Sequence, residues 1–165
     1  MFELMWQIIT ELWWLWLIVI GISLLSFSFD FLEGWLKKRT VRKWLEKHKT
    51  LEEWKKVDGK EFERITAAIF EKLGYKTKVV GGPGDRGIDV IGYKDGKKTI
   101  IQCKKRDVVS PKDILALKGA INEGEQGILV TTGRFTKEGK EIAKEKSIEL
   151  IDGLKLENLW KKTRD

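Results

Sequence analysis

Hydrophobic and polar positions divide the 165-residue chain into two unlike parts. From Leu12 to Phe29 no charged residue occurs, and apolar side chains fall on every side of a helix rather than on one face. Beyond that run the pattern becomes one of short periodic elements. Asp58 and Glu61 make a capping box, and Phe62, Ile65, Ile69 and Leu73 follow at helical spacing until Gly74. Tyr75–Val80 reads as a strand, Gly81–Gly84 as a loop and Ile88–Tyr93 as a second strand. Asp95-Gly96 is a hairpin turn signal, with Thr99–Lys104 returning. Ser110 and Pro111 open a helix to about Asn122, with Ile114, Leu117 and Ile121 on one face. Gly127–Thr131 is a strand, Thr136 caps a helix to about Lys146, Ile148–Ile151 is a last strand, and Asp152 caps a helix ending near Trp160. This order predicts an α/β domain: a mixed central sheet flanked by helices on both faces. No internal repeat is present.

The uncharged run is 18 residues long, and as a helix it spans roughly 27 Å at about 1.5 Å per residue, close to a bilayer's hydrocarbon thickness. Trp13, Trp14 and Trp16 gather at one end; Phe27, Phe29, Phe31 and Trp35 gather at the other, as in an aromatic belt. Its serines, Ser23, Ser26 and Ser28, can bond back to the helix backbone. A signal peptide would carry basic residues before the run and a small-residue cleavage site after it, and neither occurs. Residues 1–36 are therefore expected to be a transmembrane segment, with its span at about 12–29. Residues 37–57 are expected to be a basic juxtamembrane linker helix, broken near Thr50 by the Thr50/Glu53 capping box. That linker either attracts anionic lipid heads or serves as a topology signal and solvated spacer. The remaining domain is 58–165. The basic flank Lys37, Lys38, Arg39, Arg42 and Lys43 places the domain in the cytoplasm and the N-terminus outside, in a single-pass topology.

Charge sharpens the division. Residues 1–36 carry four acids and no Lys or Arg; all 32 basic residues lie in 37–165 against 21 acids, so that part carries +11. Such a body suits phosphate-rich partners. The single cysteine, Cys103, excludes an internal disulfide and a multi-cysteine zinc site. The single histidine, His48, sits among charges and has no second histidine to form a metal site or an acid–base pair. Chemistry is left to carboxylates, Lys and backbone.

The hairpin is the place for it. Gln102 and Lys104 lie two apart and so share a strand face, among Ile100, Ile101 and Cys103. Folding at Asp95-Gly96 brings Asp89 opposite the 101–103 region. A carboxylate, an amide oxygen and an ammonium then converge, which is what a magnesium-dependent phosphodiesterase requires: hard oxygen ligands, and a cation to orient water and offset charge. Alone, an Asp followed by Gln-x-Lys is a weak pattern, equally compatible with a solvated strand face.

The stretch GDRGIDVIGYKDGKKTIIQCKK (84–105) resembles the catalytic hairpin of the Mrr-like branch of the PD-(D/E)xK nucleases. DGKEFERITAAIFEKLGYKTKVV (58–80), GILVTTGRFTKEGKEIA (127–143) and IELIDGLKLENLW (148–160) resemble the flanking elements of the same family. The resemblance implies a restriction-endonuclease-like fold and metal-dependent DNA cleavage. It assigns Asp89 as a metal-binding aspartate, and Gln102 to the place of the usual acidic residue. Lys104 becomes the motif lysine, and Glu63 the helix glutamate completing a site for magnesium or manganese. Asp85 matches an acidic position of less defined role.

DNA contact is expected from Arg86, Lys105 and Arg106, with Lys112, Lys118 and Arg134 as further candidates. The resulting expectation is a membrane-anchored, magnesium-dependent DNA endonuclease of the Mrr-like type IV restriction class. It needs no small-molecule cofactor, and a homodimer would let it cut both strands. Two alternatives stay open: a catalytically weak module that tethers DNA at the membrane, and a scaffold whose basic body binds lipid heads.

Overall fold

The computed structural model of the chain describes residues 13–48, 50–80, 82 and 87–163. Two compact units result, Met1–Thr40 and Val41–Asp165. The first contributes most of helix α1, Trp13–Lys47. Its large apolar residues, from Trp13 and Trp14 through Ile22 and Leu25 to Phe29 and Trp35, are exposed. The hydroxyls of Ser23 and Ser28 donate to the carbonyls of Val19 and Leu24, each at 2.8 Å, so these polar interruptions are absorbed by the helix itself. Among the described residues no helix is long and apolar enough to cross a membrane. The expected span begins at Leu12, which lies outside the described residues.

The second unit starts earlier than the sequence pattern indicates. Residues 37–57 do not form a solvated linker, because Val41, Leu45 and Trp54 are buried in the body's core. Positions 41 and 45 are one helical turn apart, an apolar stripe hidden in a stretch dominated by Lys, Arg and Glu. Arg42 is tied to Glu71 at 2.7 Å. The chain does break near Thr50, where the Thr50 N–H donates to the Glu53 carboxylate at 3.0 Å and the short helix α2, Leu51–Trp54, begins.

Helix α3 is Gly59–Lys72, capped by Asp58, whose carboxylate accepts from the Glu61 N–H at 2.7 Å. Then come β1 (Lys76–Val79), β2 (Val90–Lys94) and β3 (Lys97–Lys104). β2 and β3 meet at Asp95 (φ 51°) and Gly96 (φ 74°). Both residues are left-handed, as a two-residue type I′ hairpin requires, and Asp-Gly supplies that conformation at low cost. The short β4 (Val108–Val109) leads to α4 (Pro111–Ala120). β5 (Gln126–Thr131), β6 (Arg134–Phe135) and α5 (Lys137–Glu145) follow. β7 (Ile148–Ile151) and α6 (Gly153–Lys162) close the chain.

Strand order in the five-stranded sheet is β1-β2-β3-β5-β7. β1 to β3 pair antiparallel, and β3, β5 and β7 pair parallel, so the sheet is mixed as expected. One core lies on the α3 side, where Phe62, Ile65, Ile69, Leu156 and Trp160 pack on Val90, Ile101, Ile128, Val130 and Ile151. The other joins Ile114, Leu117 and Ala143 to Ile100, Leu129 and Ile148. β4 and β6 pair parallel in a separate two-stranded sheet that the pattern does not predict, since two residues carry no period.

Candidate active site

The hairpin register sets the site. Val90 pairs with Ile101, and the Asp89 N–H donates to the Ile101 carbonyl at 3.2 Å. Asp89 thus stands one step ahead of β2, where the regular ladder ends. Val90 and Ile101 belong to the α3-side core, so Gln102 and Lys104, one residue out of phase on β3, share the opposite face. The Asp89 carboxylate accepts from the Cys103 N–H at 2.7 Å, which pins it against the returning strand. The structure therefore brings together the three hairpin residues that the sequence pattern singles out.

Gln102 is 3% exposed. Its Nε2 donates to the Gly87 carbonyl at 2.8 Å, and its Oε1 is buried with no hydrogen-bond partner among the described residues. Such an acceptor is costly to leave unmet. It is a hard oxygen at the very place where a cation ligand is expected. Lys104 ends β3 half-buried, on the same face as Gln102.

Glu63 comes from the other layer. It lies on α3 and is half-buried, with its Oε2 shielded from solvent. Cys103 links the two layers. Burial pushes its thiol far above the usual range; the Thr66 hydroxyl works against this, while the charges of Asp89 and then Glu63 push the same way, and Lys104 opposes them weakly. The charges of Asp89 and Glu63 thus both reach Cys103. The same burial disfavours the Cys103 thiolate. Among the described residues no group of three or more His, Cys, Asp and Glu side chains is placed to hold a metal ion. A site here needs the Gln102 amide oxygen to complete it.

Of the expected DNA contacts, Arg86 lies outside the described residues, as do Asp85 and most of the 81–84 loop. Lys105 and Arg106 are exposed just beyond β3, and Arg106 is paired with Asp113 at 3.4 Å. Two supporting residues escape the sequence reading. Gly87 (φ 75°) holds the Gln102 amide. Thr131, fully buried, donates its hydroxyl to the carbonyl oxygens of Lys104 (2.7 Å) and Arg106 (3.0 Å) and accepts from the Gly133 N–H at 3.1 Å. The Gly87-Ile88-Asp89 triplet carried the first signal, a glycine two residues ahead of a site carboxylate. The second had none, because a strand-end threonine is commonplace.

An aspartate, a buried amide oxygen and a lysine gather on one antiparallel hairpin within a mixed sheet. Residues 54–160 match the family Mrr_cat, described as restriction endonuclease. The chain belongs to it. The body thus carries a restriction endonuclease domain, and the family generally works with divalent metal ions.

No curated protein matches the chain. Among solved structures it is similar to the protein of unknown function AF1548, at 22% identity over 58% of each chain, with a TM-score of 0.52. It is also similar to the MspJI restriction endonuclease, solved in complex with a 27-mer oligonucleotide. That match has 21% identity over 75% of this chain and 30% of that one, with a TM-score of 0.49. A third is VC1899 from Vibrio cholerae, at 16% identity over 64% of this chain and 33% of that one, with a TM-score of 0.47. The likeness is one of fold, and the matched part is 58% or less of the length of each of these chains.

Proposed function

We propose that the chain is a membrane-anchored, magnesium-dependent DNA endonuclease of the Mrr-like type IV class. The observation that carries the catalytic part is the buried, unpartnered Oε1 of Gln102, on the strand face it shares with Lys104 and one residue from the Cys103 N–H that holds Asp89. Asp89 and Gln102 would hold a magnesium or manganese ion, with Glu63 approaching from α3. These are oxygen donors, and the set leaves room for metal-bound waters, as hard cations prefer. When bound, the metal would neutralise phosphate charge and lower the pKa of a water. The chain's own residues do the rest. The Cys103 N–H fixes the orientation of Asp89. The Lys104 ammonium stands where it can orient the attacking water and offset negative charge on the phosphorane-like transition state.

The anchor reading rests on α1. From Trp13 to Phe29 the helix carries no charge, and its large apolar side chains are exposed to whatever surrounds it. With Leu12 the uncharged run reaches 18 residues, inside the range of about 17–25 that spans a bilayer. The basic residues that follow orient it with the nuclease domain cytoplasmic and the N-terminus outside. A homodimer would place two such sites on a duplex.

One observation favours the alternative of a DNA-tethering module: the site has few carboxylates, with an amide where an acid would give charge. Nicking of supercoiled plasmid by the full chain, with and without magnesium, separates the two. Metal-dependent nicking that Asp89→Asn abolishes supports the nuclease; tight DNA binding without cutting supports the tether. Extraction of membranes with alkaline carbonate tests the anchor, and release of the chain into the supernatant rules it out.

A further inference from the structure

The face that carries Gln102 and Lys104 does not end at β3. β1 extends it outward along the open edge of the sheet. Lys78 pairs with Ile91 and Lys76 with Tyr93, while the Val80 N–H donates to the Asp89 carbonyl at 2.9 Å. Paired residues of an antiparallel ladder point to the same side. Through Ile91 and Ile100, Lys78, Lys76 and Tyr93 therefore lie on the face of Gln102 and Lys104, in successive rows away from the site. The residues between them confirm the phase. Thr77 points to the other layer, where its hydroxyl donates to the Glu71 carboxylate at 2.9 Å. Lys94 likewise turns away, onto the Leu73 carbonyl and the Tyr75 ring.

We infer that Lys78, Lys76 and Tyr93 form a track for the DNA phosphate backbone on one side of the scissile bond. The inference rests on the nuclease reading and extends it to the duplex arm.

Three observations carry it. Lys76, Lys78 and Tyr93 are exposed, although helices cover the centre of this face through Ile100, Leu129 and Ile148. Among the described residues neither lysine is in an ion pair. The strand residues of this face carry no acid, and the nearby Lys98 has its own partner in Glu125 at 2.7 Å. Positive potential is therefore uncompensated along β1. The spacing also fits. At about 3.3 Å per residue, Lys78 stands roughly 7 Å and Lys76 roughly 13 Å from the Asp89 row. One nucleotide of a strand advances about 3.4 Å, so each lysine meets about every second phosphate. Tyr93, 49% exposed, offers its hydroxyl as a further phosphate donor at the far end.

The test measures binding of the full chain, in detergent, to a short duplex without metal across about 50–200 mM salt. Lys76→Ala/Lys78→Ala should flatten the slope of log affinity against log salt by about 1.8, at roughly 0.9 per phosphate contact. The loss of affinity across that salt range then shrinks about tenfold relative to the parent. A control pair of equal charge change, Lys56→Ala/Lys72→Ala, lies outside the track and should keep the parental slope. A Lys76/Lys78 variant with parental slope and affinity overturns the track while leaving the nuclease reading intact. So does a variant that loses binding to phosphatidylserine vesicles but keeps its binding to DNA. If the parent neither binds nor cuts DNA, the nuclease reading fails and the track with it.

Discussion

The side-chain nitrogen of Gln102 donates to the carbonyl oxygen of Gly87 at 2.8 Å, and this bond decides which end of the amide faces the site. An amide is nearly symmetric in shape, so a neighbouring acceptor is needed to turn its oxygen outward. Gly87 can serve because it sits at φ 75°, and because a Cβ there would stand 2.6 Å from Gln102 Nε2. Gly87→Ala should therefore displace the amide and weaken magnesium binding by about 10- to 100-fold, as loss of an orienting partner commonly does. Backbone strain adds a cost of about 1–2 kcal/mol. Titration of the metal, with thermal melts alongside, checks both. Parental metal affinity in a folded Gly87→Ala variant would show that the bond orients nothing of consequence.

In the proposed mechanism Asp89 and Lys104 have separable duties. Asp89→Ala should abolish metal-dependent cleavage and leave metal-free DNA affinity intact or raised, because a negative charge facing phosphate is removed. Lys104→Ala should also abolish cleavage, yet leave metal binding in place, since an ammonium is no ligand. Gln102→Glu restores a carboxylate beside Asp89 and should tighten magnesium binding. Calorimetric titration of the three variants, with plasmid nicking measured in parallel, resolves the assignments. An Asp89→Ala chain that binds magnesium and cuts like the parent would locate the site elsewhere.

The hairpin was legible because two independent signals agreed. Asp95-Gly96 dictates a two-residue turn, and that turn fixes the pairing from Lys94 with Lys97 to Val90 with Ile101, which brings Asp89 beside the 101–103 stretch. Helices were equally plain where a cap and a period coincided, as at Asp58, Thr136 and Asp152. Long-range contacts were not legible. Nothing local tells that Val41 and Leu45, flanked by Arg42, Lys43 and Glu46, turn into a core built by residues further along the chain. Nor does a two-residue pairing such as β4 with β6 leave a pattern. Gly87 and Thr131 act through backbone carbonyls, and a side chain's backbone partner is set by the fold rather than by its neighbours in sequence.

The buried Val41 and Leu45 make the start of a soluble fragment decisive. A fragment beginning at Thr50 removes both, at about 1.5–3 kcal/mol for each buried side chain. It also deletes the Arg42 partner of Glu71. A fragment beginning near Arg39 retains them. Thermal unfolding of the two should differ by on the order of 10–20 °C in Tm, the longer one being the more stable. Equal midpoints would return residues 41–49 to the status of a linker.

Thr131 offers a test of how Lys104 is held. β3 and β5 pair Lys104 with Thr131, and the threonine hydroxyl reaches past the pair to clasp the carbonyls of Lys104 and Arg106. The chain thus turns away immediately after Lys104, against a loop in which Gly133 leaves no space for a Cβ beside the Arg106 and Asp107 carbonyls. Thr131→Val keeps the shape and deletes the hydroxyl; the Lys104 carbonyl keeps the Arg106 N–H at 3.0 Å, while the Arg106 carbonyl and the Gly133 N–H lose their Thr131 partner, at about 1–3 kcal/mol. The effect on cleavage should exceed the loss of folded protein, because a shift of about 1 Å in a positioned group can cost on the order of a hundredfold in rate. Thr131→Ser restores the hydroxyl and should recover both stability and rate. Single-turnover cleavage at a temperature where all three proteins are folded makes the comparison. A Val variant that cuts at the parental rate, or a Ser variant as slow as Val, would separate Thr131 from the placement of Lys104.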